Sequence, residues 1–169
     1  MTAALIKLLN SRFIWLFIAL AAIFLVLGSL VLTVWLDLHP CHLCIFQRIL
    51  FMLIAMFGLV AFFAAGLAGR VAGYANLPIS GLGVGVAAYQ TWLQAQPPGS
   101  ISCVAGEPSL IERVVEWLGQ LSPELFLATG FCEESELNIL GLSLAHWSLL
   151  SFSVFLVAAF WALFQKTAK

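Results

Sequence analysis

Charged side chains are scarce in this chain: they make up 9% of its 169 residues, against 63% hydrophobic. A soluble domain carries about 25% charged residues, so this chain cannot cover a water-facing surface and belongs in a membrane. A basic excess is missing too, since seven Lys and Arg stand against eight Asp and Glu. Without that excess there is no footprint for phosphate contacts, which excludes a nucleic-acid binder. Internal repeats and low-complexity tracts are absent, and the only linker-like stretch is Gln96-Pro97-Pro98-Gly99-Ser100.

What the chain has in abundance is long apolar runs. Phe13 to Trp35 contains no ionisable side chain and exceeds the ~20 residues a spanning helix needs. It is too long for a signal-peptide core, and Thr33-Val34-Trp35 is no cleavage site, so Lys7 and Arg12 flank a retained helix. Ile45 to Leu67 is a second run, broken only by Gln47-Arg48 near its start. Val71 to Leu93 is diluted by Asn76, Pro78 and Ser80, but Gly81 and Gly85 have the small-xxx-small spacing of closely packed membrane helices. Leu144 to Phe164 is the fourth, with His146 and Trp147 at its start and Trp161 near its end, where amphipathic rings favour the interface.

The fold class is therefore all-α, a four-helix transmembrane bundle formed as one integral membrane domain over residues 1–169. Lys7, Arg12, Arg70, Lys166 and Lys169 fall on the side of the termini and the second connection, with no acidic residue among them. Opposite lie Asp37 and seven glutamates, accompanied by Arg113 alone. By the positive-inside rule both termini are cytoplasmic, and the loops 36–44 and 94–143 are outside. Within the longer loop Leu110, Val114, Leu118 and Leu121 share a helical face, widened by Ile111 and Val115, and Ser109 with Glu112 fits a capping box. This pattern predicts a short amphipathic helix on the outer membrane surface, rather than one packed in a small extramembrane subdomain for which the loop has too little chain.

All four cysteines fall outside on this topology: Cys41 and Cys44 as a CxxC, and Cys103 and Cys132 on either side of the amphipathic helix. The CxxC is close enough to pair internally, which leaves Cys103 with Cys132. At the start of a helix, backbone N–H groups stabilise the thiolate that attacks and leaves in disulfide exchange. Arg48 lies four residues after Cys44, one turn along the same face. An arginine just inside a span is costly, so it is a functional candidate as well as a possible headgroup anchor.

Two rivals stand beside a redox role. His39, Cys41, His42 and Cys44 are soft ligands that a membrane metal-binding protein could use, but so short a segment rarely wraps four donors around one ion. A structural bundle whose disulfides only brace its loop is the second rival. A haem attachment motif is excluded because Ile45 replaces the required histidine after the second cysteine.

Pro40-Cys41-His42-Leu43-Cys44-Ile45-Phe46-Gln47-Arg48 resembles the PCxLCxxxR signature of the bacterial disulfide bond formation protein B (DsbB) family. Leu127-Ala128-Thr129-Gly130-Phe131-Cys132 resembles the segment around that family's last cysteine, and Leu140-Gly141-Leu142 before Trp147 resembles its approach to the final helix. The resemblance covers nearly the whole chain. It implies an inner-membrane oxidoreductase that re-oxidises a periplasmic thiol oxidase of the DsbA type and passes electrons to a quinone, ubiquinone or menaquinone. It further implies that Cys103 and Cys132 form the disulfide that meets the partner, with Cys103 forming the mixed disulfide. Cys41 and Cys44 would then re-oxidise that pair, Cys44 facing the quinone and Arg48 stabilising charge there. Some members have a histidine near the outer end of the third helix where this chain reads Tyr89-Gln90-Thr91-Trp92, so its role does not carry over.

Overall fold

Each apolar run forms one long helix in the computed structural model, which describes residues 11–64, 66–96, 110–130 and 137–167. Helix α1 covers Ser11–Trp35, α2 His42–Phe63 and α3 Leu67–Gln94. In the loop region follow α4, Leu110–Leu121, and the short α5, Pro123–Phe126. A hairpin of β1, Asn138–Ile139, and β2, Leu142–Ser143, leads into α6, Leu144–Thr167. The 25 residues of α1, at about 1.5 Å each, extend for about 37 Å, more than a hydrocarbon core of about 30 Å. All four long helices are apolar enough to cross a membrane. Helix α1 packs on α2, α2 on α3, α3 on α6, and α6 back on α1, so the bundle closes into a ring.

The ends of these helices differ from the sequence expectation for local reasons. Helix α2 starts at His42 instead of Ile45, because Cys41 occupies the N-cap position and its sulfur accepts from the Cys44 N–H at 3.4 Å. It stops at Phe63, four residues before Leu67, and α3 starts at Leu67 after Gly66 takes a φ of 72°. Helix α1 ends with Asp37 at a φ of 50° and the Leu38 N–H bonded to the Thr33 carbonyl at 3.1 Å. That six-to-one bond over a left-handed residue is a Schellman-type stop, and it turns the chain into the CxxC segment.

Aromatic stacking and small residues hold the bundle together. Phe51 of α2 stacks on Phe152 of α6, with ring centroids 4.1 Å apart, and Phe155 meets Phe51 edge-on. The glycines that permit close approach are not the expected Gly81 and Gly85, around which a side chain would meet open space. On α3 they are Gly83, packed against the Phe152 ring, and Gly73, beside Trp15, and on α2 Gly58 lies against the Trp15 carbonyl and Ala19 of α1. The buried stripe of α3 runs through Ala72, Gly73, Asn76, Ser80, Gly83, Ala87 and Gln90, and it is this period that decides which glycines face a neighbour.

Two features shape the loop region. Leu140 and Gly141 both have positive φ, 55° and 81°, which makes the hairpin turn a type I′ pair. Helix α4 forms where the period placed it, but it has two apolar faces. Val115 and Gly119 are buried, with Ile111 against the Cys41, Leu43 and Leu93 cluster, while Leu110, Val114, Trp117 and Leu121 are exposed. The inner face therefore rests on the end of α2, and only the other is left for a membrane surface. Ser109 of the expected capping box lies outside the described residues.

The glycine assignment is testable. Gly83→Leu should destabilise the protein by about 1–3 kcal/mol by overpacking, whereas Gly81→Ala and Gly85→Ala should leave thermal unfolding in detergent unchanged.

Candidate active site

The CxxC begins at the turn that α1 delivers. Pro40 fixes the chain direction, Cys41 caps α2, and Cys44 sits one turn later on the same face. Cys41 is 2% exposed, and its sulfur lies 3.1 Å from that of Cys44 as a hydrogen-bonded dithiol. The bundle thus buries one of the two sulfurs of the CxxC almost completely and leaves the other half-buried.

Arg48 is also buried, at 6% exposure, one turn deeper. Its three nitrogens each have a partner: Nε donates to Ser29 Oγ at 3.1 Å, Nη2 to Thr33 Oγ1 at 3.1 Å, and Nη1 to the Leu125 carbonyl at 2.9 Å. Ser29 and Thr33 lie one turn apart on α1, and each hydroxyl donates back to its own helix, to the Val26 and Ser29 carbonyls at 2.8 Å. Their protons are thus engaged, and their lone pairs face the guanidinium. All three partners are neutral oxygens, so hydrogen bonds stabilise the arginine without cancelling its charge.

A pair of buried glutamines completes the surroundings of the sulfurs. Gln47 Nε2 donates to Gln90 Oε1 at 2.7 Å, and Gln90 Nε2 donates to Cys44 Sγ at 3.0 Å and Cys41 Sγ at 3.5 Å. Gln90 does not stand out in the sequence. Its available signal was a polar side chain within an apolar span, on the same α3 stripe as Ser80 and Gly83. Ser29 and Thr33, polar residues four apart in the first span, gave a similar signal.

The outer loop reaches this site directly. The Thr129 and Gly130 N–H groups both donate to the Pro40 carbonyl, at 3.0 and 3.3 Å. A side chain on Gly130 would collide with the His39 carbonyl. Cys103 and Cys132 lie outside the described residues. On the other flank Ser143 donates to Gln94 Oε1 at 2.6 Å and contacts His146 Nδ1 at 2.8 Å, which ties the hairpin to the end of α3.

Both sulfurs, Arg48, Gln47 and Gln90 line one cavity of about 560 Å³ between α1, α2 and the start of α6. Its other walls are largely apolar, with Phe24, Leu25, Leu32, Phe51 and Leu144. This size and lining fit an organic ligand with few polar atoms. Among the described residues no three of His, Cys, Asp and Glu converge as metal ligands.

Fold and site together are those of a membrane bundle that presents a CxxC to an apolar cavity. The family described as disulfide bond formation protein DsbB matches residues 11–162, and the chain belongs to that family. Among its relatives, disulfide bond formation protein B of Dechloromonas aromatica is 46% identical over 139 residues, 80% of this chain and 82% of that one. The protein of that name from an Azoarcus species is 37% identical over 138 residues, 78% and 80% of the two chains. Disulfide bond formation protein B 2 of Burkholderia lata is 39% identical over 154 residues, 89% and 87%. The chain is an enzyme, an oxidoreductase that generates disulfides, and the metal-binding reading of the His39 to Cys44 segment finds no support.

The docking of the loop on Pro40 can be broken selectively. Gly130→Val should release it at a cost of about 1–3 kcal/mol, seen as faster protease cleavage within residues 110–130 while the bundle's thermal unfolding stays unchanged.

Proposed function

We propose that this enzyme re-oxidises a periplasmic thiol oxidase of the DsbA type and passes the electrons to a membrane quinone, ubiquinone or menaquinone. On this reading the protein is one domain in the bacterial inner membrane, with cytoplasmic termini and periplasmic cysteines. The distribution of charges and the family support it. The observation that carries it is that the Cys41–Cys44 pair and the Arg48 guanidinium line one and the same apolar cavity.

The residues present fit a quinone. An apolar ring with two carbonyl oxygens suits walls of Phe, Leu and Val, and Arg48 is a hydrogen-bond donor on that wall. Cys44 and Arg48 would hold it. When bound, the quinone supplies an acceptor for two electrons and two protons.

Cys103 and Cys132 would act on the partner. A thiolate of the reduced partner attacks Cys103, Cys132 leaves, and the partner's second thiolate closes its disulfide and releases Cys103. The Cys103–Cys132 dithiol then attacks Cys41, Cys44 leaves as thiolate, and the loop disulfide reforms. Two electrons and two protons thereby come to rest on the Cys41–Cys44 dithiol. Cys132 follows Gly130 by two residues, a reach of about 7 Å, so the bond of Gly130 to Pro40 supports its delivery to the CxxC.

Anaerobic mixing of purified protein, reduced partner and quinone should yield quinol. Cys41→Ser should abolish this turnover, which separates the reading from a merely bracing disulfide. Cys103→Ser should abolish partner oxidation and leave Cys41 and Cys44 open to oxidation by quinone. Arg48→Ala should raise the quinone concentration needed for half-maximal rate roughly tenfold or more, with both disulfides still formed. An unaltered quinone titration would remove Arg48 from its role.

A further inference from the structure

A thiolate sulfur accepts hydrogen bonds strongly, and a disulfide sulfur accepts them weakly. A fixed donor aimed at a CxxC therefore stabilises the reduced pair over the oxidised one, as thiolate stabilisation does in strongly oxidising dithiols. Backbone groups at a helix start supply this in general. Here a side chain from a different helix is aimed at the same atoms.

We propose that Gln90 is a hydrogen-bond donor that sets the oxidising power of the Cys41–Cys44 pair, and that Gln47 is the positioning residue that holds its amide in the donating orientation. The inference rests on the reading of Cys41 and Cys44 as the redox pair. Gln90 Nε2 carries two hydrogens, and it faces Cys44 Sγ at 3.0 Å and Cys41 Sγ at 3.5 Å. A primary amide can be turned to present either its oxygen or its nitrogen, and only the nitrogen donates. Gln47 Nε2 donates to Gln90 Oε1 at 2.7 Å, which holds the oxygen away from the sulfurs and leaves the nitrogen on them.

Burial makes the arrangement effective. Gln47 is 3% exposed and Gln90 2%, so water does not compete for either amide. Two buried amides in a membrane bundle are costly unless they are bonded, and these bond to each other and to the sulfurs. The two come from α2 and α3, 43 positions apart, so the contact requires the assembled bundle.

The chemistry can be read without quinone or partner. Oxidised enzyme is equilibrated with glutathione: two glutathione thiols reduce the Cys41–Cys44 disulfide, and the products are the enzyme dithiol and one glutathione disulfide. Alkylation and mass analysis of the tryptic CxxC peptide give the equilibrium constant. Gln90→Met keeps the length and removes the donor, and it should lower the constant for reduction roughly tenfold or more. Gln90→Glu keeps the oxygen that accepts from Gln47 and replaces the donor with an acceptor, so it should lower the constant at least as much. Gln47→Met should give a smaller fall in the same direction.

A constant equal to wild type in Gln90→Met, or in Gln90→Glu should the first not fold, overturns the inference. Quinone-driven oxidation by the wild-type enzyme is measured beside it. Its absence would overturn the functional reading, whereas an unchanged glutathione equilibrium in an active enzyme overturns only the role of the glutamines.

Discussion

A guanidinium inside an apolar bundle is the constraint around which the outer half of this protein is arranged. Removing an arginine from water costs several kcal/mol unless its hydrogens find partners. Here they find Ser29 and Thr33 on α1 and the Leu125 carbonyl in α5, so one side chain of α2 binds two other elements to itself. The arginine's need for acceptors sets the rotation of α1, which must turn its hydroxyl face inward. It also fixes the position of α5, whose backbone must come within reach. The cavity beside Cys44 is bounded by the same contacts, so the site and its enclosure have one origin.

The location of the CxxC follows from two media meeting. On the proposed function, protein thiols arrive from water and a lipid-soluble acceptor arrives from the bilayer. Cys41 and Cys44 stand where α2 begins, under the turn that carries His39 and Pro40 and beside an apolar cavity. The loop side is joined to that turn by the Thr129 and Gly130 bonds to Pro40. A pair placed deeper would be beyond the reach of the loop, and one placed further out would lose the apolar walls.

Much of this was legible in the sequence because the membrane imposes a coarse rule. Twenty apolar residues make a span, and the four runs became the four long helices. The CxxC and Arg48 were legible because their chemistry is unusual in an apolar setting. Partners across the bundle were not. Gly81 and Gly85 have a packing spacing, yet Gly73 and Gly83 are the glycines in contact, since rotation of α3 is decided by Trp15 and Phe152 on other helices. Gln90 lies 46 positions from Cys44, and only assembly of α2 with α3 brings them together. The second apolar face of α4 was hidden for the same reason: an amphipathic period shows that a face is apolar, not whether lipid or protein covers it.

The way Ser29 and Thr33 spend their protons gives the cavity a polarity of its own. Both hydroxyls donate along α1 and accept from Arg48, so the polar groups of this wall answer one another, as the Gln90 hydrogens answer the sulfurs. What this wall keeps in reserve is the guanidinium itself, which has five hydrogens and three bonds. The donor left over in this apolar chamber is therefore also its fixed positive charge.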